Sequence, residues 1–233
     1  MSTRTSSDGL ASLWTDRSAK LHCVPVRETA KTRGRPKGSR REEILRVAAQ
    51  LFAQNGYHGT GIVELGEAVG LGKGSLYHHI GSKEDLLYEI SSRHVIEMVA
   101  FGEQLVASDI TPLEKFRRLS RRLMRTIADN LPELTVFFRE VGTLTGERGE
   151  HLLSLRARFE EIWAEILEEG CAAGVFRTAD PIIVKGLLGL HNYSYLWLRP
   201  DGRLTPEEIS DSYCDLLLRG LLTPEAAGSG LVI

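Results

Sequence analysis

The sequence predicts an all-α protein, with a small N-terminal three-helix unit followed by a larger C-terminal helical bundle. Three observations carry that prediction. Apolar residues recur at helical spacing from Ile44 almost to the C-terminus, no segment alternates with a period of two, and Gly, Pro and capping residues punctuate the apolar pattern. Ile44, Val47, Ala48, Leu51 and Phe52 form one face of the first helix, which Gly56 can end in the left-handed conformation. Thr60 offers an N-cap hydroxyl to a short second helix over 61–68. Gly70 marks a tight turn, and a very short third helix follows over 73–78.

Ser82-Lys83-Glu84-Asp85 opens the fourth helix with a capping pattern, and the spacing carries it over 83–106. His94 falls on its buried stripe, between Ile90 and Met98. Pro112 suits the start of a fifth helix over 112–129, and Pro132 that of a sixth over 131–144. A seventh spans 150–173 and stops before Gly174. An eighth, apolar almost all round, spans 181–198, and a ninth spans 206–222. The expected organisation is a disordered basic arm over 1–38, a three-helix domain over 39–81, a bundle over 82–222 and a flexible tail over 223–233.

The net charge of −2 hides an asymmetry. Residues 1–41 hold ten Lys or Arg against three acids, which is +7 and leaves the remainder at −9. A basic arm on an acidic body points to a polyanionic partner met at one end of the chain. Cys23, Cys171 and Cys214 have neither disulfide arithmetic nor metal spacing, and reduced thiols in a cytoplasmic protein are expected. No signal-peptide core is present, and the apolar run 182–198 is too short and too polar to span a membrane. No catalytic triad spacing, phosphate-binding glycine loop or metal cluster points to an enzyme, and no cofactor is expected.

Two short helices joined by a glycine-containing turn make a helix-turn-helix, whose second helix lies in the DNA major groove. The run from Ala49 and Phe52 through Gly56-Tyr57, Thr60, Gly70-Leu71, Lys73-Gly74-Ser75-Leu76-Tyr77-His78-His79 and Ser82-Lys83-Glu84-Asp85-Leu86 resembles the N-terminal domain of TetR-family transcriptional repressors. Two positions depart from the family pattern: Gly66 stands where Ala is usual, and Gly72 where Ser or Thr caps the third helix.

The resemblance implies DNA contacts from Lys73, Gly74, Ser75, Tyr77 and His78, with Thr60 and Lys83 at helix N-termini facing phosphates. Lys73 can reach phosphate or a guanine edge, and Gly74 allows close approach to the groove. In the arm, Arg33-Gly34-Arg35-Pro36, flanked by Lys31 and Lys37, resembles an AT-hook that enters the minor groove. The adjacent His78 and His79 point to different helix faces, so no metal site is expected.

For the bundle, the family resemblance implies a small-molecule inducer. The eighth helix, apolar almost all round, and Ile209, Tyr213, Leu216 and Leu217 of the ninth predict a four-helix interface in a homodimer, and a palindromic double-stranded operator follows from its two-fold symmetry. The stretch from Tyr193-Ser194-Tyr195-Leu196-Trp197 through Leu198-Arg199-Pro200-Asp201-Gly202 to Leu204-Thr205-Pro206, together with Phe176-Arg177, is similar to a subgroup of actinobacterial repressors of fatty-acid and sterol catabolism that sense acyl-CoA thioesters. An efflux-pump regulator sensing lipophilic drugs is the alternative. Candidate pocket residues are Phe101, Phe137, Phe138, Trp163, His191, Asn192 and Tyr195, chosen as aromatics, or as polar groups within an apolar helix. Arg117, Arg118, Arg121, Arg122 and Arg125 form either a solvated face of the fifth helix or an attractant for CoA phosphates.

Overall fold

The structure, a computed structural model, describes residues 37–229, with side chains from Arg40 onward. Arg33 and Arg35, and the side chain of Lys37, lie outside the described residues. Helix α1 (Lys37–Asn55) starts slightly before the expected domain boundary and buries Ile44, Leu45, Ala48, Ala49 and Phe52. It stops at Gly56, whose φ of +77° suits a residue without a Cβ. Helix α2 (Ile62–Ala68) is capped by the Glu64 carboxylate, which accepts the Gly61 N–H at 3.2 Å. Helix α3 (Lys73–Ile80) runs past the expected end at His78, burying Leu76 and Ile80.

Gly66 explains its own departure from the family pattern. A Cβ there would sit 2.7 Å from the Leu71 carbonyl oxygen, which is backbone and cannot swing aside. The same close approach lets the Leu71 N–H reach the Gly66 carbonyl at 2.8 Å and closes the turn between α2 and α3.

Helices α4 (Lys83–Val106) and α5 (Pro112–Asp129) have the expected bounds, each fixed by a hydroxyl cap, Ser82 or Thr111. Helix α6 (Leu131–Glu140) ends before the expected Leu144, and α7 (Gly146–Ala172) begins earlier than expected. Helix α8 (Pro181–Asn192) is shorter than its apolar run, because residues Tyr193–Leu196 tighten into a 3₁₀ turn. Helix α9 (Pro206–Leu221) carries a full capping box between Thr205 and Glu208. The expected loose tail is corrected as far as residue 229. Thr223 caps a further helix, α10 (Pro224–Gly228), Leu222 pairs with Phe176, and Ala226 is buried.

Among the described residues one apolar core runs from Ile44 in α1 to Ala226 in α10. The three-helix unit is therefore continuous with the bundle, through α1 against α6 and through α4 against α7. Trp163 lies at the bundle centre, edge-on to Phe116 at 5.4 Å. The buried Lys115 ties three helices, donating to the Glu169 carboxylate at 2.8 and 2.9 Å and to the Val106 carbonyl at 3.0 Å. Removing that carboxylate would strand a buried cation at a cost of about 3–5 kcal/mol.

Candidate nucleic-acid interface and ligand cavity

The short helix α3 presents Lys73, Gly74, Ser75 and His78 to solvent, with Tyr77 38% exposed. Lys73 and Tyr77 lie four residues apart and so share a face. Two arginines of α1, counted in the sequence only as basic charge, hold this unit in shape. Arg40 donates to the Val69 carbonyl at the end of α2 at 2.5 Å. Arg41 donates to the His79 carbonyl in the last turn of α3 and pairs with Glu89 of α4. Both cations meet the negative end of a helix dipole, so the orientation of the reading helix is anchored from α1.

Two expected phosphate contacts are corrected. Thr60 is only 1% exposed, and its hydroxyl donates to the Gly56 and Leu51 carbonyls at 2.9 and 3.3 Å. It closes the end of α1, while Gly61 takes the N-cap position of α2. Lys83 is half-buried, its Nζ donating to the Tyr57 carbonyl at 2.5 Å and lying 4.3 Å from the Tyr57 ring centroid. Burial pushes the Lys83 pKa down, and burial pushes that of Tyr57 up.

A cavity of about 250 Å³ opens in the bundle. Its walls come from five helices: His94, Val95 and Met98 of α4, Leu123 and Thr126 of α5, Leu134, Phe137 and Phe138 of α6, Leu153, Arg156, Ala157, Phe159 and Glu160 of α7, and Leu188 and Asn192 of α8. Of the expected pocket residues, Phe137, Phe138 and Asn192 line it. The other four do not. Phe101 lies beneath the Arg122 guanidinium at 5.5 Å. Tyr195 forms a second layer, stacked on Phe138 at 4.9 Å. Trp163 is core. His191 is fully buried in a polar knot, bonded to Ser120 at 2.7 Å and the Leu187 carbonyl at 2.8 Å, with Ser210 joining through Ser120. Burial holds the His191 pKa down at about 4, so its ring is neutral.

His94, Thr126 and Arg156 were missed as cavity residues. His94 carried a signal, a polar ring on the buried stripe of α4; Arg156 carried none, because a charge on a long helix ordinarily faces water. Four of the five arginines of α5 are taken up by acids: Arg117 approaches Asp215, Arg121 binds Asp211, Arg125 binds Glu207 and Arg118 binds Glu114, while Arg122 lies over Phe101. By contrast Arg156, on the cavity wall, has no carboxylate partner among the described residues and lies 5.7 Å from the Phe137 ring.

The two sites share helices. Phe137 and Phe138 line the cavity, and the next two residues of α6 reach the reading unit: Arg139 donates to the Ala53 carbonyl at 3.1 Å, and Glu140 accepts the Tyr57 N–H at 3.1 Å. Likewise α7 carries Arg156 on the cavity wall and, nearer its start, Arg148 bound to Asp85 and His151 bonded to the Tyr88 hydroxyl at 2.5 Å. Among the described residues no helix is long and apolar enough to cross a membrane.

An exposed reading helix carrying Lys73, on a unit packed against a bundle with a cavity, defines a helix-turn-helix DNA-binding protein with a sensor domain. Residues 44–90 match the family model for bacterial regulatory proteins of the tetR family, and residues 109–221 match that for the tetracyclin repressor-like C-terminal domain. The chain is 30% identical to the transcriptional repressor KstR2 of Rhodococcus jostii over 192 residues, covering 81% of this chain and 94% of that one. It is similar in structure to the TetR-family regulator PfmR from Thermus thermophilus, with a TM-score of 0.71, 38% identity and coverage of 76% of this chain and 97% of that one. It is also similar to AibR, solved with isovaleryl coenzyme A and operator DNA, with a TM-score of 0.66, 30% identity and coverage of 77% and 98%. The chain belongs to the TetR family of transcriptional regulators, and its activity is regulation, not catalysis.

Proposed function

We propose that this chain is a cytoplasmic dimeric repressor that binds a palindromic operator through Lys73, Gly74, Ser75, Tyr77 and His78 of α3, assisted by Lys31, Arg33, Arg35 and Lys37 of the arm. An acyl-CoA thioester entering the bundle cavity releases it. The observation that carries this reading is the sharing of α6: Phe137 and Phe138 wall the cavity, and Glu140 holds the turn ahead of the reading helices. A ligand that prefers a different packing of α6 then shifts the spacing of two reading helices across a dimer. The CoA complex of AibR supports the choice of ligand. The charges of the lining support it too: Glu160 is paired with Lys185, and the exposed Arg156 has no carboxylate partner among the described residues, so the remaining charge favours an anionic ligand and opposes a cationic lipophilic drug, which the efflux-regulator alternative would often require.

The dimer reading rests on a stripe. Ile182, Gly186, Gly189 and Tyr193 fall at i, i+4, i+7 and i+11 and are exposed, as are Leu216 and Gly220 of α9. Leu216 is 64% exposed, whereas its neighbour Leu217 packs against the core. Such faces from two subunits form a four-helix isologous interface. The test of the whole reading is a gel-shift titration of the protein–operator complex with long-chain and ring-derived acyl-CoAs, with free acids, free CoA and a cationic drug panel as controls. Release by a thioester alone supports the reading, and release by the drugs alone supports the alternative.

A further inference from the structure

Two polar side chains line the cavity without a hydrogen-bond partner among the described residues. The Nδ1 of His94 is buried and has no hydrogen-bond partner, and the nearest carboxylate oxygen, on Glu97, is 3.6 Å away. The side-chain amide of Asn192 makes no hydrogen bond with any described residue. Around them the walls are apolar, from Val95, Met98, Leu123 and Leu188. Burial pushes the His94 pKa down, against Glu97 and Glu133, which raise it, so the ring is neutral and offers one donor and one acceptor. Buried polar groups ordinarily have partners, so the orphaned His94 Nδ1, with the unbonded Asn192 amide also on the cavity wall, points to a ligand that supplies one.

We propose that His94 and Asn192 hydrogen-bond an oxygen carried on the acyl group itself, so that the cavity selects keto- or hydroxy-acyl thioesters over plain hydrocarbon ones. The proposal rests on the acyl-thioester reading and deepens it. Size agrees: by proportion to an engineered cavity of roughly 150 Å³ that holds benzene, this one takes an acyl group of about ten non-hydrogen atoms. Polarity agrees as well. Of the two α7 charges that line the cavity, Glu160 is paired with Lys185 at 2.7 Å, which leaves the solvent-exposed Arg156 as the unpaired one, suited to the CoA end, while His94 and Asn192 line the cavity from α4 and α8. A plain alkyl chain would cover both polar groups and leave them unsatisfied, and sites built to bond a ligand oxygen reject analogues lacking it.

The test is calorimetry on the full-length protein with octanoyl-CoA and a set of octanoyl-CoA derivatives bearing one ketone or hydroxyl at successive chain positions. Wild type should bind at least one oxygenated thioester about tenfold or more tighter than octanoyl-CoA. The double variant His94→Leu, Asn192→Leu should reverse the order, with octanoyl-CoA binding more tightly than it does to wild type. Operator binding reports that the variant folds; if it does not, the wild-type series decides alone. Equal wild-type affinity for every thioester, or a preference that survives in the folded double variant, overturns the proposal and leaves the acyl-thioester reading standing. Absence of binding by every octanoyl thioester overturns the proposal, and if the long-chain and ring-derived acyl-CoAs fail as well, the acyl-thioester reading falls with it.

Discussion

The carboxylate of Glu140, at the last position of α6, accepts the backbone N–H of Tyr57 at 3.1 Å, while Lys83 of α4 donates to the carbonyl of the same residue. The turn that leads into the reading helices is thus held from both sides, by one helix that walls the cavity and by one that links the two parts of the chain. Replacing Glu140 by Ala should leave inducer affinity near wild type and reduce induction. With a coupling of about 1–3 kcal/mol, the usual range for allosteric proteins, loss of this contact should remove at least half of it. Operator affinity with and without saturating acyl-CoA measures the change, and full induction in the variant would show that the signal travels elsewhere.

Gly66→Ala restores the usual family residue and should nevertheless harm this protein. The added Cβ meets the Leu71 carbonyl oxygen at 2.7 Å, so α2 and the turn must separate. A loss of about 1–3 kcal/mol in stability, with weaker operator binding, is expected. Thermal unfolding followed by circular dichroism checks it; an unchanged melting temperature would mean that the turn yields easily.

Lys73→Ala and Tyr77→Ala should each weaken operator binding by about 1–3 kcal/mol with helicity intact. Thr60→Ala should behave differently. Its hydroxyl serves α1 carbonyls, so it should lower stability and affect DNA only through the fold. Paired gel shifts and melts separate the two behaviours, and a Thr60 variant with normal stability but poor DNA binding would return Thr60 to the interface.

His191 links stability to pH. Its folded pKa of about 4 lies below the unfolded value of 6.5, so the unfolded chain takes up the proton first. The stabilisation is complete above pH 6.5 and is lost as pH falls toward 4, by up to about 3 kcal/mol. His191→Gln should flatten that part of the stability profile. Denaturant melts of both proteins across that range measure it, and parallel profiles would show that other groups set the acid limit.

The helical order, the three-helix unit and the reading helix were legible because their signals are local: apolar spacing, a glycine stop and a hydroxyl cap. The bounds of α4 and α5 could be read from Ser82 and from Thr111-Pro112. Helix α10 bore the same kind of signal, since Thr223-Pro224-Glu225 repeats the Thr205-Pro206-Glu207 that opens α9. The end of α8 was not legible, because an apolar run continues through the 3₁₀ turn and periodicity cannot separate the two. Nor were the tertiary roles of Arg40, Arg41 and Thr60, because each binds a backbone carbonyl, which no side-chain pattern encodes. Within the cavity, aromatic residues attracted attention, yet Trp163 and Phe101 pack elsewhere; the unpartnered polar groups of His94 and Asn192 mark the site better.

The central claim is that cavity and reading helix are two ends of one equilibrium, and linkage tests it most directly. The measurement is the dissociation constant of the tightest-binding acyl-CoA for the free protein and for the protein saturated with operator DNA, at one salt concentration. Operator should weaken acyl-CoA binding by about 5- to 150-fold, equal to the factor by which that acyl-CoA weakens operator binding. Identical acyl-CoA affinity in the presence and absence of operator would contradict the account.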